Sequence, residues 1–227
     1  MKPGLYICVY ITQMKMTTEY YNESVKRLPS GGRRINAYVG EETLVVYQAF
    51  NPAIAQAAVE NQAFGGGGYR YERMSWIKTS FLWMMYRASW ANAEGQKRIL
   101  AITLRKNDFE TILSQMAWAS FEGSVYKDQA AWRNDLEVKP GRLQWDPDHD
   151  PYGTPLQRRA IQLGLKGDLL KEFGKTYCQK IEDITPFVEQ QRVMVEERRL
   201  NELLVPREEL YTPASATVCA SIGLTID

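Results

Sequence analysis

Apolar and polar positions along the chain alternate between strand and helix periods. Leu44-Val45-Val46-Tyr47-Gln48-Ala49-Phe50 is rich in β-branched and aromatic residues and predicts a buried strand. Asn51 follows as a helix N-cap with Pro52 at the first helical position, and Ile54, Ala57 and Ala58 form an apolar face that runs to about Gln62. Four successive glycines, Gly65 to Gly68, lose too much backbone entropy in regular structure and predict a mobile loop. A helix is expected from its N-cap Ser80 through Trp90, a strand over 98–105, and a helix capped by Asn107-Asp108 running to about Trp118. Residues 119–142 carry weak signals, and 145–151, with alternating Asp and two prolines, predicts a turn-rich acidic loop. Ile161, Leu163 and Leu165 alternate with Gln162 and Gly164, the mark of a half-buried strand. A helix over 168–173, a strand over 181–184 and a long helix over 186–204 complete the reading. Strands and helices mix without a regular βαβ repeat, so the expected fold class is α+β. The expected organisation is one compact domain over 34–211, after an extension and linker (1–33) and before a tail (212–227).

Composition narrows the chemistry. The chain has 227 residues, 44% of them hydrophobic and 24% charged, which argues against disordered, collagenous and membrane classes. No apolar run reaches the ~20 residues of a membrane span. The seven-residue run 5–11 lacks a small-x-small cleavage site and predicts a short strand or an extension instead of a signal peptide. Three scattered cysteines, Cys8, Cys178 and Cys219, suit a reducing cytoplasm. The lone His149 with no CxxC pair excludes a two-histidine or zinc-finger metal centre. Asp146, Asp148 and Asp150 lack the glycine and the ligand number of a calcium loop, so no metal site is expected.

The near-zero net charge conceals a split. Residues 70–110 hold eight basic and four acidic residues, a net +4, whereas 181–210 hold four and eight, a net −4. The positive block is interleaved with aromatics. Trp76, Trp83 and Trp90 lie seven apart and would share one face of a continuous helix, with Arg87 in the same stripe. Such a stripe serves either as core or as a stacking platform. A buried Arg87 would require an anionic partner, a carboxylate or a ligand. Lys78 and Ser80 precede the helix at the end where backbone N–H groups favour an anion, so Lys78, Ser80 and Arg87 form a candidate anion site.

Several blocks resemble a known family. Arg34-x-x-Ala37-Tyr38, the run from Val46 to Ala55, the run from Glu72 to Trp90, Gln144-Trp145-Asp146-Pro147, Arg159-Ala160-Ile161-Gln162-Leu163-Gly164-Leu165 and Ile181-Glu182-Asp183-Ile184-Thr185 resemble the domain of unknown function 4291 family. The resemblance spans 34–211 and implies a single domain without an assigned reaction. Thr79 stands where that pattern usually has proline. A second likeness is to ADP-ribosyltransferase folds, including RNA 2′-phosphotransferases. The strand ending Val46-Tyr47-Gln48-Ala49, the helix after it and Phe64-Gly65 are similar to the opening of those folds. This likeness implies NAD as the cofactor, with Gln48 at the position of a histidine or arginine that holds a ribose or nicotinamide amide.

The function expected from these features is an enzyme, transferase-like, acting on a nucleotide or another phosphate-bearing ligand. Arg34, Lys78 and Arg87 would neutralise phosphates, Tyr47 and Gln48 would orient sugar or base, and Trp83 or Trp90 would stack. Tyr38, Ser80 and Arg159 complete the ligand-binding set. Gln48 and Asp146 are the candidate catalytic residues. The alternatives are a non-catalytic module that binds RNA or a nucleotide through the same basic and aromatic surface, and a structural or interaction domain.

Overall fold

The computed structural model describes residues 16–226. The run at 5–11 lies outside them. The chain order is β1 (Thr18–Tyr20), α1 (Tyr21–Arg27), β2 (Ile35–Ala37), β3 (Thr43–Phe50), α2 (Pro52–Asn61), β4 (Ser75–Lys78), α3 (Phe81–Ala88), β5 (Arg98–Arg105), α4 (Lys106–Ser114), β6 (Met116–Trp118) and α5 (Gln129–Val138). It continues with β7 (Gly141–His149), β8 (Pro155–Leu165), α6 (Gly167–Glu172), a π-turn (Phe173–Tyr177), β9 (Cys178–Asp183), α7 (Thr185–Glu196), β10 (Leu204–Pro206), β11 (Glu209–Tyr211) and α8 (Ala216–Ser221).

Among the described residues, seven strands form one mixed sheet in the order β6-β7-β8-β4-β3-β5-β9, in which only β6 and β7 pair in parallel. The fold is α+β, and it forms one body. Strand alternation sorts the core onto two faces. Leu44 and Val46 of β3 join Leu100, Ile102 and Leu104 of β5, Ile77 of β4 and Leu163 of β8 in one buried cluster. Val45 and Tyr47 face the other way, into a cluster with Phe81, Met85, Ile99 and Val188. The flanking segments share this body. β1 pairs with β10, and Val218 and Ile222 around α8 sit in the first cluster.

Several elements depart from the sequence pattern. The predicted acidic loop at 145–151 is mostly strand, because Trp145 to Pro147 pair with residues 159–161 of β8 and the register shifts before His149. Asp148 and His149 are accordingly buried. Asp148 Oδ2 meets Arg158 Nε at 2.7 Å, and Asp148 Oδ1 accepts from Ser80 Oγ and from the His149 N–H. The helix expected up to Trp118 ends at Ser114, and 116–118 become β6. The long helix expected to Leu204 stops at Glu196, ahead of Arg198 at φ +60°. The weak region 119–142 supplies α5.

The glycine run is no open loop. A β-carbon on Gly67, at φ +62°, would lie 2.2 Å from the Ala53 carbonyl oxygen, so the loop packs onto the first turn of α2 as only glycine permits.

The tryptophan spacing also has another meaning. Ser80 does cap α3, its Oγ accepting from the Trp83 N–H. Trp76 lies on β4, however, and α3 ends at Ala88 in three successive left-handed residues, Ser89, Trp90 and Ala91 (φ +47°, +52° and +66°). Such residues cost roughly 1–2 kcal/mol each without glycine. The turn places the Trp90 indole in the core, where Nε1 donates to the Pro151 carbonyl at 3.1 Å.

Candidate functional site

The sheet splays open at its centre. β3 pairs with β5 across eight positions, but with β4 at one, Tyr47 opposite Lys78. Beyond that pair the two strands diverge. Gln48 bridges the gap, its Nε2 donating to Ser75 Oγ (2.8 Å) and the Trp76 carbonyl (3.2 Å). A cavity of about 550 Å³ occupies the split, walled by Gln48, Ala49 and Phe50 on one side and by Ser75, Trp76 and Lys78 on the other. That volume lies within the range of small-molecule sites.

Strand register builds the floor. Lys78 stands directly opposite Gln162 on β8, and Gln162 opposite Gln144 on β7, so the three side chains share one face of three adjacent strands. Gln162 Nε2 donates to Gln144 Oε1 (3.0 Å) and to Asp146 Oδ2 (2.6 Å). One step along, Gly164 opposes Trp76, and a β-carbon there would come within 3.0 Å of the indole. Glycine lets the ring lie close to the sheet at the cavity edge.

Cations complete the site. Arg73, Lys78 and Arg87 line the cavity, no carboxylate among the described residues lines it, and none of the three forms an ion pair with a described residue. Arg87 is exposed in the last turn of α3, so the expectation of a buried guanidinium is corrected: residues 81–85 and 88 take the buried positions. Lys78 is only 6% exposed, and its Nζ donates one hydrogen bond, to the Trp76 carbonyl at 3.3 Å. Burial and then the neighbouring Arg87 push its pKa down to about 8, against a smaller opposing pull from Asp146. Burial raises the Asp146 carboxyl, while Gln162, Arg87, Lys78 and Arg159 act the other way. Gln48 is 2% exposed, and its Oε1 is a buried acceptor without a partner among the described residues.

A second cavity of about 420 Å³ adjoins the first. The two share Phe50, Arg73, Met74 and Ser75, and the second adds Tyr69 and Arg70 from the segment after the glycine run.

The predicted residues divide. Gln48, Lys78 and Arg87 meet at the cavity, and Asp146 adjoins it through Gln162. Arg159 is exposed on β8 next to Ala160, which stands opposite Asp146. Tyr47 shares the face of its strand partner Lys78, but it is fully buried, packs edge-on to Phe81 of α3 and is not in the cavity lining. Tyr38 lies outside the lining, its hydroxyl accepting from the Thr17 N–H at 3.1 Å. Arg34 precedes β2 and is not in the lining. Ser80 is buried as a cap, away from the cavity. Trp83 and Trp90 are core, Trp83 stacking with Tyr86 and His149. Among the described residues, Phe50 and Trp76 are the aromatics that line the cavity. Sequence reasoning missed Arg73, Gln96, Gln144 and Gln162. One signal for Gln162 was present, a polar residue on the outward phase of an apolar alternation.

No group of three metal-ligating residues occurs among the described residues, and no described helix is long and apolar enough to cross a membrane. Neither the curated proteins nor the solved structures contain a match to the chain. A family model matches residues 34–211, and the chain therefore belongs to the family described as domain of unknown function (DUF4291).

Proposed function

We propose that the central cavity binds a nucleotide or another phosphate-bearing ligand, and that the protein acts on it as a transferase-like enzyme. One observation carries this reading: Arg73, Lys78 and Arg87 converge on the cavity without an ion-paired carboxylate among the described residues, beside the amides of Gln48, Gln96, Gln144 and Gln162. Unpaired cations in a concave, partly desolvated site favour an anion, and guanidinium groups bind phosphate bidentately. Amides supply the donors and acceptors that a sugar or base presents. Phe50 or Trp76 takes the stacking role in place of Trp83 and Trp90. Asp146 is the candidate acid or base, because burial holds its proton more tightly than that of an ordinary aspartate.

The specific form of this reading is an ADP-ribosyltransferase-like activity with NAD. The unpaired Gln48 Oε1, an acceptor fit for a carboxamide N–H, supports it. Bound NAD would supply an ADP-ribosyl group with nicotinamide as leaving group. The second reading is a non-catalytic RNA-binding module, favoured by the adjoining cavity with Arg70 and Tyr69.

A thermal-shift series with inorganic phosphate, ADP, NAD and a short single-stranded RNA tests these readings. A ligand at 100 times its Kd adds ~2.7 kcal/mol, or ~5–10 °C for a domain of this size. Shifts by phosphate, ADP and NAD, with nicotinamide released on incubation, support the enzyme. A shift by RNA alone, steeply lost with salt and without turnover, supports the module. No shift by any of the four refutes both.

A further inference from the structure

Anion binding leaves the amine chemistry of Lys78 unused. Its Nζ is walled off from bulk water, has one acceptor at 3.3 Å in its own strand, and has no carboxylate in ion-pair contact among the described residues. A buried ammonium so poorly partnered is held at a disadvantage against the neutral amine, and a cationic neighbour adds to it. Desolvation beside a second cation is a general route to a nucleophilic lysine. The pKa of about 8 agrees with that geometry. A proton carrier stands close by: Asp146 is tied to Gln162, the residue directly opposite Lys78 across the β4–β8 pairing.

We propose that Lys78 forms an imine with the carbonyl carbon of an aldehyde or ketone that carries a phosphate, the phosphate resting on Arg73 and Arg87. The proposal rests on the anion-site reading and gives that ligand a second chemical requirement, a carbonyl group. In the addition step the Nζ lone pair attacks the carbonyl carbon, and the C=O π pair moves onto oxygen. That oxygen takes a proton from Asp146, and Nζ returns one to the Asp146 carboxylate. In the second step the hydroxyl leaves as water with the proton from Asp146, and the nitrogen lone pair closes the C=N bond. Amine, carbonyl compound and one proton give iminium and water. No oxidant or reductant enters.

The test uses the whole chain with pyridoxal 5′-phosphate as the phosphate-bearing aldehyde and pyridoxal as its phosphate-free control. Borohydride reduction and peptide mapping then locate the secondary amine. Lys78 is expected to label about tenfold faster than the exposed Lys26, Lys97 and Lys127, the equivalent of one charge-assisted hydrogen bond to the phosphate. Pyridoxal should lack this preference, and inorganic phosphate should suppress it. Lys78→Arg should lose the adduct. If that variant does not fold, the wild-type map decides alone. Labelling of Lys78 no faster than that of exposed lysines overturns the imine. With a phosphate thermal shift intact, that result leaves the anion site standing, and with the shift also absent both fall.

Discussion

Arg87→Ala separates a ligand-binding arginine from a structural one. Arg87 is exposed, with no ion-pair partner among the described residues, and its fold energetics consist of small effects that partly oppose one another, including a screened attraction to Asp146. A cation in the last turn of a helix contributes ~0.3–1 kcal/mol through the helix dipole. Removing it also relieves the repulsion that disfavours a charged Lys78. The dipole and the screened attraction to Asp146 are partly cancelled by that relief, so stability should change by no more than about 0.5 kcal/mol. For a chain of this size the melting point then moves by only about 1–2 °C. Ligand binding has no such cancellation. A hydrogen bond to a charged group contributes ~1.5–3 kcal/mol, so the Kd for phosphate or ADP should rise about 10- to 150-fold. Titration calorimetry on the folded variant, with parallel melting curves, measures both quantities. Arg87→Lys should fall between, because it keeps the charge but not the planar fork. Unchanged affinity in a folded variant, or a melting point more than about 10 °C lower, refutes the assignment.

Three further outcomes follow from the packing. Burial pushes the Glu208 carboxyl, which accepts from the Phe81 N–H at 2.6 Å, up to about 8. Its stabilising contribution is complete below the unfolded value of 4.5 and is lost as pH rises through about 8. Urea denaturation at pH 5 and pH 9 should therefore show Glu208→Gln gaining stability relative to wild type at the higher pH, and an equal offset at both would contradict the shift. Arg158→Met leaves the Asp148 carboxylate buried and unpaired, at a cost of ~3–5 kcal/mol, and Asp148→Leu added to it should recover part of the loss. Gly67→Ala should destabilise far more than Gly68→Ala in denaturant titrations. The new methyl at 67 meets the Ala53 carbonyl, whereas at 68 it meets nothing within 4 Å and suffers only the positive φ, about 1 kcal/mol.

Local chemistry made part of the molecule legible. The β-branched run of β3 and the Asn51 cap, with Oδ1 accepting from the Ile54 N–H at 2.9 Å, are encoded within a few residues. The same holds for the Ser80 cap and for the strand 98–105. The family blocks contain most of the cavity lining, including the Arg73, Gln144 and Gln162 that residue-level reasoning passed over.

What the sequence alone determined is thus the strand and helix nuclei, the α+β class and the basic block that holds Lys78 and Arg87. Tertiary structure decided which of those residues meet. Prolines and aspartates at 146–150 signal a turn, yet pairing with the next strand, β8, makes most of that segment a strand and buries Asp148, because sheet hydrogen bonds come from a partner strand that the segment's own residues do not specify. A seven-residue tryptophan spacing means one face only on a continuous helix, and a strand followed by a left-handed turn sends the three rings elsewhere. The site itself is a property of register. Lys78, Gln162 and Gln144 align across three strands, and the gap beside them exists because β3 and β4 part after a single pair. Side-chain period is written in the sequence, but strand order and register are set by which surfaces bury each other.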